Sequence, residues 1–128
     1  MTDAAPFTET EAQLLARLHQ APDTVQVTDV LAVIEAGYEY TPTTFTNGVP
    51  PEQQVNTAGS NEVSCRLFAF AALHQLPPAQ TLACFGHYYR DEVLGDPDGV
   101  NHGNIRTFMR HGWDALHFEG DALQPRQR

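Results

Sequence analysis

The apolar run from Leu67 to Leu73 constrains the fold of this chain more than any other feature. A polar loop precedes the run and the Pro77–Pro78 pair closes it, so it predicts a helix from about Glu62 or Ser64 to Gln75. Apolar residues of this run occupy most faces of the predicted helix, which is typical of a helix within a core. We therefore expect most of this helix to be buried.

Two further helices are predicted before it. Thr8 and Glu11 have the spacing of a capping box, and the apolar positions that follow share one helical face until Pro22 blocks continuation. A second helical segment begins near Thr28 and stops at Gly37, where glycine favours a left-handed C-cap. The first 37 residues therefore predict two helices.

Two more helices are predicted after it. Pro78 suits the first turn of a helix that continues towards Leu94, and Gly95–Gly99 has the composition of a turn. The segment His102–His111 has helical spacing and ends at Gly112. The chain therefore carries four to five predicted helices.

Strand signals are short and are not interleaved with the helices. Tyr38–Tyr40 alternates, Thr43–Thr46 is β-branched and aromatic, and Leu116–Glu119 is strand-like, whereas Val49–Ser60 has no period and predicts an irregular loop. Such a pattern predicts an α+β fold, with the helices packed on a small sheet of two or three short strands. We expect the strand at Phe118 to pair with the region from Tyr38 to Thr46.

Length and composition predict one compact domain over residues 1–128. The chain has 128 residues, of which 41% are hydrophobic, and this suffices for one buried core. We divide it into two helices at 1–37, a motif-bearing region at 38–123 and a flexible tail at 124–128. No apolar stretch approaches the roughly 20 residues of a membrane span, and the N-terminus lacks the pattern of a Sec-type signal peptide. The expectation is a soluble protein made in the cytoplasm that does not bind membranes.

The charge of the chain argues against nucleic-acid partners. The net charge is −9, and all seven basic residues are arginines, so the chain is acidic and free of lysine. An acidic chain repels phosphate backbones, and a chain without lysine cannot form a Schiff base through a lysine side chain. We therefore expect no nucleic-acid binding and no lysine chemistry.

Four sequence stretches carry a family resemblance. They are YEYTPTTFTNG, NTAGSNEVSCRLFAFAAL, QTLACFGHYYRDEVL and HGNIRTFMRHGWDALHFEGDAL, which together extend from Tyr38 to Leu123. In this order they closely resemble the HopJ family of type III effector proteins. The resemblance implies a bacterial protein that is delivered by a type III secretion system into a host cell, where a host protein would be its partner. It implies no particular reaction, and a housekeeping bacterial protein is the alternative.

The resemblance also marks a set of polar positions. They are Asn47, Asn56, Asn61, Ser64, Cys65, Tyr88, Tyr89, His102, Asn104 and Arg106. Cys65 follows a polar loop at the start of the predicted central helix, where helix-start N–H groups favour a thiolate. Ser64 is predicted to be the N-cap of that helix.

The sequence leaves an enzyme and a binding protein as alternatives. In the enzyme hypothesis Cys65 is the nucleophile of an acyl transfer, His102 is its base, and Asn61 or Asn104 orients the base. In the binding hypothesis a small molecule or peptide occupies a pocket beneath the long loop. The polar positions Asn47, Asn56, Ser64, Tyr88, Tyr89, Asn104 and Arg106 are its predicted binding residues.

Metal and cofactor signals are weak in this chain. Asp96, Asp98, Asn101 and His102 place donors close in sequence, but their spacing is not that of an EF-hand loop, and Asp-Pro-Asp-Gly is foremost a turn sequence. The expectation is therefore no metal and no cofactor.

Cys65 and Cys84 lack CxxC spacing and are expected to be free thiols.

Overall fold

The computed structural model of the protein describes residues 9–126, and it begins with two helices. Helix α1 spans Glu11–Gln20, and its capping box is formed by Thr10 and Gln13. The prediction that Thr8 and Glu11 form this box is wrong, because Glu11 is already the first helical residue; Thr8 itself lies outside the described residues.

Helix α2 spans Val27–Gly37 and runs directly into a strand. Its start is fixed by a reciprocal pair of hydrogen bonds between Gln26 and Asp29. The predicted left-handed C-cap at Gly37 is wrong. Gly37 is not among the residues with positive φ, and Tyr38 is already extended, with φ −137° and ψ 152°. No turn separates the helix from the strand.

Helix α3 spans Glu62–Leu73 and forms the centre of the core, as its apolar run predicts. Phe68 is fully buried, and its ring centroid lies 5.0 Å from Phe85, 5.1 Å from Phe108 and 6.0 Å from Phe45. These partners belong to three different parts of the chain. Tilted ring contacts of this kind add to the free energy gained by burial, so α3 holds the elements around it together.

Helix α4 spans only Pro78–Ala83. The prediction of one helix continuing towards Leu94 is wrong, because the chain turns at Gly86, which has φ +55°, and then forms a π-helical turn at Tyr88–Val93. A Cβ atom at Gly86 would lie 3.0 Å from the backbone nitrogen of Val27. Close packing against the start of α2 and the left-handed backbone both require glycine here.

Five short strands form two antiparallel sheets. Strand β1 (Tyr38–Tyr40) pairs with β5 (Leu123–Pro125). Strand β2 (Phe45–Asn47) lies between β3 (Gln54–Asn56) and β4 (Leu116–Phe118).

The pairing confirms one prediction and corrects two. Phe45 is opposite Phe118, as expected for the strand at Phe118. The segment Val49–Ser60 was predicted to be irregular throughout, but it contains β3. Part of the predicted flexible tail belongs to β5. Both missed strands are only three residues long, and each is held by its partner strand.

Helix α5 spans Gly103–His111, close to its predicted range, and Gly112 follows it with φ +67°. A 3₁₀ turn at Trp113–Ala115 leads into β4. The whole is a compact single-domain α+β structure, as predicted from the order of helices and strands. Among the described residues, no helix has the length and apolar character needed to cross a bilayer.

Candidate functional site

A cavity of about 450 Å³ lies between the first turns of α3 and α5 and is open to solvent. Its walls come from the starts of these two helices and from the segment around the π-helical turn. The lining residues are Asn61, Val63, Ser64, Phe85, Tyr88, His102, Gly103, Asn104 and Ile105. Five of these were predicted from the sequence as catalytic or binding residues: Asn61, Ser64, Tyr88, His102 and Asn104.

Both helices begin at this cavity in the same way. Asn61 precedes α3 with φ 50°, and His102 precedes α5 with φ 53°, and neither side chain caps its helix. The prediction that Ser64 is the N-cap is wrong, because Asn61 has that position and Ser64 lies in the first turn. Since no side chain caps them, first-turn N–H groups of both helices are left as hydrogen-bond donors at the cavity.

A network of asparagine side chains holds the two helix starts in place. Asn104 Oδ1 accepts hydrogen bonds from Asn47 Nδ2 at 3.0 Å and from Asn56 Nδ2 at 3.1 Å. Asn104 Nδ2 donates in turn to Asn56 Oδ1 at 2.8 Å. Asn61 Nδ2 donates to the same Asn56 oxygen at 2.7 Å. The structure thus joins four predicted asparagines, which lie in β2, in β3, immediately before α3 and in α5.

A shallow groove continues the cavity past this network. It encloses about 360 Å³ and is lined by Gln54, Val55, Asn56, Asn61, Gly103 and Asn104. Gln54 Oε1 is buried and has no hydrogen-bond partner among the described residues. Sequence reasoning missed Gln54, since its position beside Asn56 on the same face requires knowledge of β3. The cavity and the groove share Asn61, Gly103 and Asn104, and we call the two together the cleft.

An imidazole–carboxylate pair orients one wall of the cleft. His102 Nε2 lies 2.6 Å from Glu92 Oε1, and the Tyr88 ring packs against the His102 ring with a centroid distance of 5.0 Å. His87 Nε2 lies 3.6 Å from the other Glu92 oxygen. Sequence reasoning missed Glu92, because only the π-helical turn places it beside both histidines. The pair fixes the orientation of the His102 ring.

Cys65 is not among the residues that line the cavity. Its side chain is buried, and Sγ donates a hydrogen bond to the Thr43 carbonyl at 3.5 Å. Burial is the main cause that raises the pKa of the Cys65 thiol above its ordinary value. His102 Nε2 is directed to Glu92 instead. The structure therefore does not bring the predicted nucleophile and base into hydrogen-bond contact, and the cysteine hypothesis has no geometric support.

Two further predicted residues, Tyr89 and Arg106, belong neither to the cleft lining nor to the asparagine network. Tyr89 packs against the hydrophobic core. Arg106 is buried, and its guanidinium donates to the carbonyls of Asn101 and Asp96 at 2.6 and 2.8 Å and to Asn101 Oδ1 at 2.7 Å. It fixes the turn before α5 and borders a separate depression that Val93 and Met109 also line.

The sequence cluster Asp96, Asp98, Asn101 and His102 does not form a metal centre in the described part of the chain. There, no group of three or more histidine, cysteine, aspartate or glutamate side chains is arranged to hold a metal ion. Asn101 and the Asp96 carbonyl bind Arg106, and His102 binds Glu92.

Comparisons with known proteins agree with the fold and the motifs. A crystal structure of a protein of unknown function, VPA0580, matches with a TM-score of 0.89 and 39% sequence identity, covering 96% of this chain and 99% of that chain. No curated protein matches. The family model described as HopJ type III effector protein matches residues 11–123. The chain therefore belongs to the HopJ type III effector protein family.

Proposed function

We propose that this protein binds a small molecule in the cleft between the starts of α3 and α5. One observation carries the proposal: polar residues from separate segments of the chain converge on a single cavity. Asn61 and Ser64 come from the start of α3, Tyr88 from the π-helical turn, and His102 and Asn104 from the start of α5. The cavity volume of about 450 Å³ falls within the range of small-molecule sites.

The physical properties of the cleft suit binding. Val63 supplies exposed apolar surface, the buried Phe85 and Ile105 also border the cavity, and the side chains of Asn61, Ser64 and Tyr88 supply hydrogen-bonding groups. The asparagine network and the His102–Glu92 pair hold the walls in position before a ligand arrives. Preorganisation of this kind lowers the entropic cost of binding.

Binding is favoured over the cysteine-dependent acyl transfer considered from the sequence. That reaction requires a thiolate, an adjacent base and an orienting group within hydrogen-bond reach of one another. Cys65 donates to Thr43, and burial raises its pKa, which opposes formation of the thiolate at neutral pH.

The experiment fills the cavity and asks whether binding is lost. A metabolite library is screened by ¹H–¹⁵N NMR against the wild-type protein and two tryptophan variants. Val63 lines the cavity and is 38% exposed, so Val63→Trp blocks the cavity at little cost to folding. Val100 is 94% exposed and does not line the cavity, so Val100→Trp is the matched control.

We expect the screen to find ligands that shift the resonances of Asn61, Gly103 and Asn104 in the wild-type protein. These ligands should no longer bind Val63→Trp but should still bind Val100→Trp. Ligands that bind Val63→Trp as tightly as the wild type would place the site elsewhere. A library without any compound that perturbs these resonances would also contradict the proposal.

We also propose that the protein is delivered into host cells and acts there through its ligand. Membership of a type III effector family supports this proposal. The test is a translocation reporter fused to the C-terminus and expressed in a type III-competent strain and in a secretion-deficient sister strain. Equal reporter signal in host cells from both strains would contradict delivery and would favour a housekeeping role in the bacterium.

A further inference from the structure

A second depression lies apart from the cleft, between the end of the π-helical turn and the last turn of α5. It encloses about 180 Å³ and shares no lining residue with the cleft. The lining residues are Val93, Leu94, Pro97, Gly99, Arg106, Met109 and Arg110. Small-molecule sites usually enclose roughly 300 Å³ or more, so the depression suits one anchoring side chain of a larger partner.

Large apolar side chains are exposed at this depression. Leu94 is 48% exposed and Met109 is 44% exposed. Val100, which directly follows the lining residue Gly99, is also exposed. We call Leu94, Pro97, Val100 and Met109 the apolar patch. Exposed apolar residues grouped in this way mark an interaction site, and the flexible methionine side chain is common on surfaces that bind proteins.

The patch stands on a fixed backbone. Arg106 donates to the carbonyls of Asp96 and Asn101 at 2.8 and 2.6 Å. Pro97 and Val100 lie between these two carbonyls in the chain. A partner that docks on the patch therefore meets a surface that needs little reordering, which favours binding.

The charge beside the patch is negative. Three carboxylates on the segment that borders it are exposed and form no ion pair within residues 9–126: Asp91, Asp96 and Asp98. The exposed cation of the lining, Arg110, is paired with Glu52 at 3.2 Å. The whole chain carries a net charge of −9. This field attracts a basic partner and opposes a second copy of the same chain.

We propose that the apolar patch docks a basic amphipathic helix of a partner protein. An apolar depression between two helical elements is a setting in which such a helix lays down its apolar face. One apolar side chain of the helix fills the depression, and lysine or arginine side chains on its flanks pair with Asp91, Asp96 and Asp98. The patch is separate from the cleft, so failure of either proposal leaves the other standing.

The test uses three synthetic peptides of equal length as probes. The first is an amphipathic helix of leucine and lysine, the second is a scrambled peptide of the same composition, and the third replaces each lysine by glutamate. Each is titrated into the full chain, and binding is followed by the NMR resonances of Leu94, Val100 and Met109. We expect the amphipathic leucine–lysine peptide to bind most tightly and its affinity to fall as salt is added.

Variants separate the apolar contact from the charge. Leu94→Gln and Met109→Gln should each weaken binding of this peptide about tenfold, because an apolar contact is lost. Leu73→Gln is the matched control, since Leu73 is 51% exposed at the end of α3 and lies outside the depression. Asp98→Asn should weaken binding about two- to fivefold, as expected for a surface ion pair. Asp121→Asn removes an exposed carboxylate elsewhere and should leave the affinity unchanged.

Four outcomes would overturn the proposal. Equal losses in Leu94→Gln and Leu73→Gln, or equally tight binding of the scrambled peptide, would show that the peptide responds to overall charge alone. Tighter binding of the glutamate peptide at the same resonances would show that the partner is not basic. Broadening of these resonances with protein concentration, together with a dimer in analytical ultracentrifugation, would assign the patch to a second copy. Resonances that none of the peptides shifts would remove the docking site.

Discussion

Asn104 is the residue on which the geometry of the cleft depends most. It is 8% exposed, and it joins Asn47 and Asn56 by side-chain hydrogen bonds while its own backbone carbonyl accepts from Asn47 Nδ2 at 2.9 Å. A buried amide is costly when a partner is removed, because the groups left behind lose both water and their hydrogen bonds. One residue therefore couples the stability of β2 and β3 to the position of α5.

We predict that Asn104→Leu lowers the free energy of unfolding by about 2 to 3 kcal/mol, because Asn56 and Asn47 lose side-chain partners in a buried site. Urea denaturation measures the change. Gln53→Leu replaces an exposed amide and should change stability by less than about 0.5 kcal/mol. A similar small effect for both variants would show that the network contributes little to stability.

The direction of a side chain is the part of the site that the sequence could not predict. Cys65 was placed correctly near the start of α3, but the helix begins after Asn61, so the cysteine is the fourth helical residue and its N–H already bonds the Asn61 carbonyl. Its thiol is turned to Thr43, away from the lining of the cavity. The family motifs marked Asn61, His102 and Asn104, whereas Glu92 required the π-helical turn to be known.

Among the elements, the positions of α3 and α5 were predicted well, whereas the end of α4 and the strands β3 and β5 were not. The starts of α3 and α5 agree with prediction to within a residue or two, because apolar spacing and helix-breaking residues are local signals. Strand β3 contains Gln54, Val55 and Asn56, which have no local strand pattern, and it exists because β2 supplies its hydrogen bonds. Strand β5 depends on β1 in the same way.

The turn before α5 is organised by a residue inside the helix. Arg106 is 7% exposed and donates to the carbonyls of Asp96 and Asn101 and to the Asn101 side chain. A planar guanidinium can reach all three acceptors at once, whereas an ammonium group cannot reproduce this fork. Arg106 thereby holds the segment that carries His102 into the cleft.

We predict that Arg106→Lys destabilises the protein by about 2 to 3 kcal/mol, because carbonyls that bond a charged donor lose it. It should also broaden the NMR resonances of the turn at 96–101. Arg110→Lys is the matched control on the same helix, since Arg110 is exposed and forms only a surface contact with Glu52. Equal stability of the two variants would contradict the role given to Arg106.

At the scale of the whole molecule, buried acids that are neutral in the folded state set the response to high pH. Burial raises the pKa of Tyr38, Tyr40 and Cys65, and it raises the pKa of Cys84 to about 12. Tyr38 also bonds Glu11, whose charge opposes a tyrosinate. These groups lie in β1, α3 and the end of α4, so the effect belongs to the core as a whole.

The sign of the pH dependence follows from these shifts. An unfolded cysteine loses its proton near pH ~8.5 and an unfolded tyrosine near pH ~10, whereas the folded forms keep theirs to higher pH. The stabilisation is therefore fully present below about pH 8 and is lost as pH rises. Each group that is ionised in the unfolded state but still protonated in the folded state lowers the free energy of unfolding by up to about 1.4 kcal/mol per pH unit.

We predict that the urea midpoint falls steadily from about pH 8.5 upwards, first through the cysteines and then, above pH ~10, through the tyrosines. The double variant Cys65→Ala, Cys84→Ala separates these contributions, because it removes the early fall and keeps the later one. We expect its midpoint to start lower because two buried side chains lose packing contacts, but the comparison concerns the slope of the midpoint against pH. A midpoint that is flat to pH ~10 in the wild type would show that the two thiols ionise as readily in the folded state as in the unfolded state. A reactive Cys65 would then regain support.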